Sequence, residues 1–381
     1  MYMKDKLSTL ITIIIILLMM TAFGLLGYIV WDNIKDLDVT AEPEQFQTQI
    51  SSEDTVDTKT IQTPKVVENN NPFNYGSEEK TKTSNVDYSN ISVDKYFYNQ
   101  LEDASKTIYK AFESSKEKMK SGTYQVELGN SLDNVLNSSG GQDKLSEYYQ
   151  SAIEAYTYDN PDVFYLSPNK LYLNIETTKT SKGNTYNVYI NSGNESNYLI
   201  DEFSSSSQVN SALSEINQIK DELVSKKTGN TYEDIKMVHD YIVENTEYDT
   251  SISKPNIYNM YGALVNKDAV CEGYARAFKY IMDNMNIPCV LAIGQGTNSN
   301  GQTENHAWNY VCLDSGWYAI DCTWDDPIVN GPGYISRSSK YKYFLKGSES
   351  FNKDHTPSGQ FTPNGKVFNY PDLNLNDYNG N

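Results

Sequence analysis

From Leu7 to Trp31 the chain carries no charged side chain, and the run LITIIIILLMMTAFGLLGYIV is almost wholly apolar. This segment restricts the fold more than any other, because it has no polar face to turn toward water. As a helix rising ~1.5 Å per residue, it exceeds the ~30 Å hydrocarbon thickness of a bilayer. A buried core helix this uniform would need protein on all sides. Tyr28 and Trp31 at the far end suit an interfacial aromatic belt. Lys4 and Lys6 precede the run, while Asp32, Asp36 and Asp38 outnumber Lys35 just after it. The positive-inside bias therefore makes residues 1–6 a cytoplasmic tail, 7–31 a single-pass transmembrane helix, and the remainder extracellular. The rival is a cleaved signal peptide. Its apolar region normally runs ~7–15 residues, shorter than this one, but Ala22-Phe23-Gly24 is a passable cleavage site.

The 381 residues include 31 basic and 50 acidic side chains, a formal charge of −19. That balance excludes nucleic acid as a partner, since phosphate binding needs clustered Lys and Arg. Residues 32–90 are rich in Thr, Gln, Glu, Asn and Ser with no helical period, and bury too little to offset their ordering entropy. They read as a flexible tether.

Order is expected from about residue 91. Phe97, Leu101, Ala104, Ile108 and Phe112 recur at helical spacing, and KLSEYYQSAIEAYTY forms a second amphipathic helix that stops before Asn160-Pro161. LYLNIETT and TYNVYINS alternate around Ser181-Lys182-Gly183-Asn184, a β-hairpin pattern. A further helix covers roughly 207–226. Thr231 reads as the cap of the next helix, with Asp234 three residues on. Helices thus precede a β-rich stretch, an α+β pattern with a helical and hairpin region over 91–230, a second region over 231–370, and a tail over 371–381.

All four cysteines (271, 289, 312 and 322) fall within that second region. In CEGYARAFKYIMDNM, Tyr274, Phe278, Ile281 and Met285 form one stripe, and Cys271 lies on it in the first turn. Asp268 is the expected N-cap. A thiol at a helix N-terminus sits beside unpaired N–H groups and the positive dipole end, which favours thiolate and can stabilise an oxyanion. By itself a helix cysteine is more often a small buried hydrophobe. After Pro288 a buried strand spans Cys289–Ile293. NYVCL and WYAID then read as two strands joined at Asp314-Ser315-Gly316. His306 opens the first and Asp321 closes the second. The order is thiol, imidazole, carboxylate: a nucleophile, a base that also protonates the leaving group, and a group that fixes the ring's tautomer. If Ser315-Gly316 were a tight turn, His306 would oppose residue 325, about four residues or ~13 Å from register with Asp321. A longer loop or a bulge is therefore expected there.

Here the chain resembles the transglutaminase-like superfamily, similar in catalytic geometry to papain-type proteases. The matching residues are Ala269-Val270-Cys271-Glu272-Gly273-Tyr274-Ala275, then His306-Ala307-Trp308-Asn309, then Asp321 followed by Thr323-Trp324-Asp325-Asp326-Pro327. Asp159-Asn160-Pro161-Asp162-Val163-Phe164 looks like a segment that precedes this domain in bacterial relatives. The resemblance implies a helix bearing the cysteine packed on an antiparallel sheet bearing the histidine and aspartate. It implies Cys271 as nucleophile, His306 as base and Asp321 as the orienting carboxylate, acting on amide bonds of a protein or peptide through a thioester. Transfer to an amine and hydrolysis by water both stay open, as does a non-catalytic binding module. Calcium loops of animal transglutaminases have no counterpart here, and no metal or cofactor is expected. Cys322 is a departure where relatives have a small or apolar residue. Elsewhere, His239 is expected to be structural or superficial and His355 solvated in a polar tail. Asp325 and Asp326 read as turn formers. Trp308 and Trp324 suit packing on the imidazole as well as substrate contact. The remaining cysteines are expected to be mostly reduced and buried.

Overall fold

The computed structural model describes residues 56–63, 91–180, 183–314, 316–326, 339–362 and 365–379. The apolar run at 7–31 lies outside the described residues. Among the described residues no helix is long and apolar enough to cross a membrane.

The helical spacing begun at Phe97 becomes a helix only at α1 (Asp103–Met119); Tyr98–Gln100 form a single 3-10 turn before it. Helix α1 packs against α2 (Gly141–Asp159) through Ile108, Phe112, Tyr149 and Tyr156, all fully buried. Phe112 and Tyr156 stack with ring centroids 5.3 Å apart. Burying one such side chain contributes about 1.5–3 kcal/mol. The expected hairpin is β3 (Leu171–Thr180) with β4 (Gly183–Asn191). Its register sets Leu173 against Ile190 and Ile175 against Val188, so alternate apolar residues share the core face. β2 (Val126–Gly129) pairs with the outer side of β4. β1 (Val56–Thr63) pairs antiparallel with β3, from Val56 against Thr178 to Thr63 against Leu171. Part of the stretch read as a tether is thus an edge strand. Its Thr-rich, weakly apolar sequence hides this, because an edge strand can be held by backbone pairing without a strong apolar pattern.

Helices α3 (Ser206–Ser225) and α4 (Thr231–Asn245) lead toward the second sheet. The cap of α4 is Asn230, whose side chain accepts from Glu233 N, and not Thr231. Asp234 instead reaches back to Thr228 N, Thr228 Oγ1 and Gly229 N. A short parallel pair, β5 (Glu247–Tyr248) with β6 (Asp268–Ala269), then delivers the chain into α5 (Cys271–Asn284). The second sheet has the order β10-β7-β8-β9, built from β7 (Cys289–Thr297), β8 (Thr303–Leu313), β9 (Gly316–Ile320) and β10 (His355–Pro357). It is antiparallel throughout. One apolar core runs from Phe97 through both sheets to Phe368, without a break at residue 230. Residues 373–378 also pack, with Asn374 N donating to Trp317 O and Tyr378 stacked on Tyr232.

The motif at Asp159 joins this core to α5. Asp159 accepts from Phe97 N, Tyr98 N and Tyr109 Oη, and Asn160 Nδ2 donates to Tyr109 Oη. One turn back, Thr157 O accepts from Arg276 of α5 at 2.8 Å, and the guanidinium lies 4.6 Å over the Tyr158 ring. The α+β architecture is thus a cysteine-bearing helix on an antiparallel sheet, buttressed by the preceding region.

Candidate active site

Cys271 is the first residue of α5, as its place on the apolar stripe predicts. The capping differs from expectation. The N-cap is Val270, with no side-chain cap, while Asp268 belongs to β6 and pairs with Lys254. Backbone pairing sets the helix start: Val270 N donates to Ile257 O, and β5 lies beside β6. The first-turn N–H groups are therefore left without a side-chain cap. Cys271 is half-buried beside Ala275, Leu291, Ala307 and Ile293. Asn309 Nδ2 donates to Ala275 O at 3.0 Å and ties β8 to the helix.

His306 stands on β8 opposite Gly294. The hairpin to β9 turns between Leu313 and Gly316, one residue earlier than assumed, and its register runs regularly to Asn309 against Ile320. No bulge or long loop is needed. Extending the register sets Asp321 against Trp308, one diagonal step from His306, a distance long side chains cross. β9 ends at Ile320, and Asp321 starts a helical turn closed by Asp325 N to Asp321 O.

These residues meet. His306 Nε2 lies 2.8 Å from Asp321 Oδ2, and Cys271 interacts with the same imidazole so as to favour its charged form. Burial alone would lower the His306 pKa, but the charge and hydrogen bond of Asp321, helped by Cys271, outweigh it and push it up to about 10. Burial would raise Asp321. The His306 and His355 contacts prevail and hold its carboxyl far below the usual range. Asp321 Oδ1 accepts from Thr323 N and Trp324 N at 3.0 and 3.1 Å. A thiol, an imidazole and a fixed carboxylate in series can generate a nucleophile and shuttle one proton.

The structure adds residues that sequence reasoning did not place here. His355 is not solvated: it is 1% exposed on β10, opposite Gly296, with Nε2 3.2 Å from Asp321 Oδ2. Its three-residue strand is too short to show a period, so only tertiary pairing reveals it. Trp324 stacks on His306 at 4.8 Å and lies tilted against His355 at 4.4 Å, and Trp308 is fully buried beside both. Gly296 makes room for this, since a Cβ there would stand 2.7 Å from Trp324 Cζ2 and 3.2 Å from His306 Cδ2. Tyr248, on β5, interacts electrostatically with Cys271. Burial, then the Cys271 and Glu304 charges, push its phenol up to about 12. Asp325 does more than form a turn: buried, it accepts from Tyr343 N and faces His239 Nε2 at 3.1 Å. Tyr274 Oη donates to Asp326 at 2.6 Å. His239 is structural, fully buried between Asp240 and Asp325. Cys289 and Cys322 are buried thiols, and Cys312 is half-buried.

His306, Asp321 and His355 each offer one metal-ligating atom, all within 4.8 Å of one another. The Asp321 carboxylate already has two contacts on each oxygen from donors of the protein, so its charge is compensated without an ion.

Residues 217–322 match the profile of the transglutaminase-like superfamily, and the match spans Cys271, His306 and Asp321. The chain carries a domain of the transglutaminase-like superfamily. Kyphoscoliosis peptidase of Mus musculus is 26% identical over 158 residues, covering 36% of this chain and 23% of that protein. This chain thus spans about a quarter of the length of that relative. Among solved structures, a TGase superposes with a TM-score of 0.29 at 14% identity, over 44% of this chain and 47% of the other. The periplasmic domain of TgpA from Pseudomonas aeruginosa gives 0.23 at 12% identity, over 42% and 73%. These superpositions cover under half of the chain.

Proposed function

We propose that the protein is a thiol acyl-transfer enzyme acting on amide bonds of proteins or peptides. The observation that carries this reading is His306, hydrogen-bonded to the buried Asp321 carboxylate and interacting with Cys271 at the start of α5. The Cys271 thiolate attacks the amide carbonyl, forming the S–C bond while the carbonyl π electrons move to oxygen. Uncapped N–H groups of the first α5 turn, with the protonated Tyr248 phenol as a second candidate, supply donors to that oxyanion. The C–N bond then breaks, and the leaving amine takes its proton from the His306 imidazolium. His306, now neutral, deprotonates the incoming water or amine. Collapse of the second tetrahedral adduct releases the thiolate. Asp321 keeps Nε2 protonated throughout, so the other nitrogen exchanges the proton. A buried, carboxylate-fixed imidazole beside a helix-start thiol gives a binding module no evident benefit.

The test uses the purified full-length chain. Iodoacetamide should label Cys271 faster than Cys289, Cys312 and Cys322, and His306→Ala should slow it. Equal, slow labelling of all four thiols would sink the enzyme reading. Glutamine peptides offered with a primary amine then separate the chemistries: conjugates support transfer, while ammonia release or chain cleavage alone supports hydrolysis. The 7–31 run supports an extracytoplasmic, membrane-anchored placement of this activity. Alkaline extraction that frees the protein from membranes would count against the anchor.

A further inference from the structure

Four donors converge on one buried carboxylate at Asp321, and one comes from a side chain outside the three-residue site. Asp321 Oδ1 takes two backbone N–H groups of its own turn. Oδ2 takes His306 Nε2 at 2.8 Å and His355 Nε2 at 3.2 Å. The second ring is itself held. His355 Nδ1 lies 2.7 Å from Asp354 Oδ1, and Asp354 Oδ2 accepts from Tyr343 Oη at 2.9 Å. Phe351 stacks on the ring at 3.9 Å, while Trp308, Trp324 and Tyr343 close its other sides. A ring boxed this way cannot turn out of line.

The two histidines repeat one unit. Asp354 stands to His355 as Asp321 stands to His306. A neutral imidazole carries one N–H, yet both His355 nitrogens face carboxylate oxygens, which only accept. The contact of Nδ1 with Asp354 Oδ1 therefore fixes the ring that Nε2 presents to Asp321. The groups facing this pair are Asp321, the His306 ring and the Tyr343 hydroxyl, and Lys342 Nζ donates to that hydroxyl.

We propose that His355, backed by Asp354, is a positioning residue that locks the Asp321 carboxylate in the orientation holding His306 toward Cys271. The physical reason is geometric. The turn N–H groups fix one carboxylate oxygen, but the plane can still rock about that anchor. A second donor on Oδ2, from a different strand, fixes the plane, and His306 inherits its aim. This rests on the Cys271–His306–Asp321 reading above, and its experiment needs no substrate.

Two substitutions split the ring into its halves. The Gln amide of His355→Gln reaches where Nε2 stands and keeps the donor to Asp321. The shorter Asn of His355→Asn mimics Nδ1 and keeps only the contact with Asp354. The second-order rate of Cys271 alkylation by iodoacetamide, site-resolved by mass and followed from pH 5 to 10, is the readout, with thermal unfolding recorded beside it. His355→Gln should stay near the wild-type rate. His355→Asn should be slower by about tenfold near neutrality, the size of loss expected for an orienting partner. Its pH profile should also change shape relative to wild type. A purely structural role would lower both melting temperatures and leave both profiles at wild type, which overturns the proposal. So would equal rates for the two variants, or a stoichiometric transition metal in the purified chain that His355→Asn loses. If wild-type Cys271 alkylates no faster than the other thiols, the enzyme reading has failed instead. Fast wild-type labelling with no difference between variants sinks only the role of His355.

Discussion

His306 is 5% exposed, and two groups favour its charged form, Asp321 first and Cys271 second. Its folded-state pKa, about 10, lies above the ordinary ~6.5 of a free imidazole. The pair therefore adds stability that is full below about 6.5 and lost as pH rises through about 10. Asp321→Asn removes the main raising influence and leaves burial, which lowers. Ring-proton NMR should show the His306 imidazolium persisting toward pH 10 in the wild type, and titrating at or below ~6.5 in the variant. A midpoint unchanged by the substitution would mean that Asp321 does not set this proton. Tyr248 is the second residue-scale prediction. Tyr248→Phe removes the protonated phenol proposed as an oxyanion donor, and kcat should fall by roughly 10²-fold with KM little changed. A change in KM alone would assign the phenol to substrate binding.

At the scale of elements, α5 and the β7–β8 hairpin position the chemistry. The α5 stripe was legible because its apolar residues obey the helical period. Its start was misread, because the pairing of β5 with β6 sets the helix boundary from outside the local sequence. The contact of His306 with Asp321 was legible in chain order. Its geometry was off by two residues, since the turn between Leu313 and Gly316 could not be placed from residue preferences alone. Gly296 belongs to this scale, because a strand interior normally disfavours glycine. Gly296→Ala puts a Cβ against the Trp324 ring and displaces it from His306. Urea unfolding should show a loss of about 1–3 kcal/mol, the range for overpacking. Cys271 alkylation should slow in the same variant. Wild-type stability and rate together would show that Trp324 moves aside at no cost.

Across the whole molecule, distant segments converge on the turn at 321–326. Helix α4 sends His239 into it, facing Asp325, while its other nitrogen faces Asp240. Burial lowers the His239 pKa, but the hydrogen bonds and charges of Asp240 and Asp325 win and raise it above the ordinary imidazole value. A raised value means stability that is full below about 6.5 and lost as pH climbs through the folded pKa. The stability gap between wild type and His239→Gln, from urea unfolding, should therefore be larger at pH 6 than at pH 9. A gap that widens with pH would contradict the sign.

What the sequence determined by itself was local and periodic: the helices, the two hairpins, the placement of Cys271 in a first turn, and the order of thiol, imidazole and carboxylate. Period and motif carry that information because each depends on neighbours a few residues away. What only the tertiary structure decided was long-range. β1 pairs with β3 across more than a hundred residues, His355 reaches Asp321 through β10, and one core spans both sides of residue 230. Those choices are made by backbone pairing and by burial of polar side chains, which no local pattern encodes.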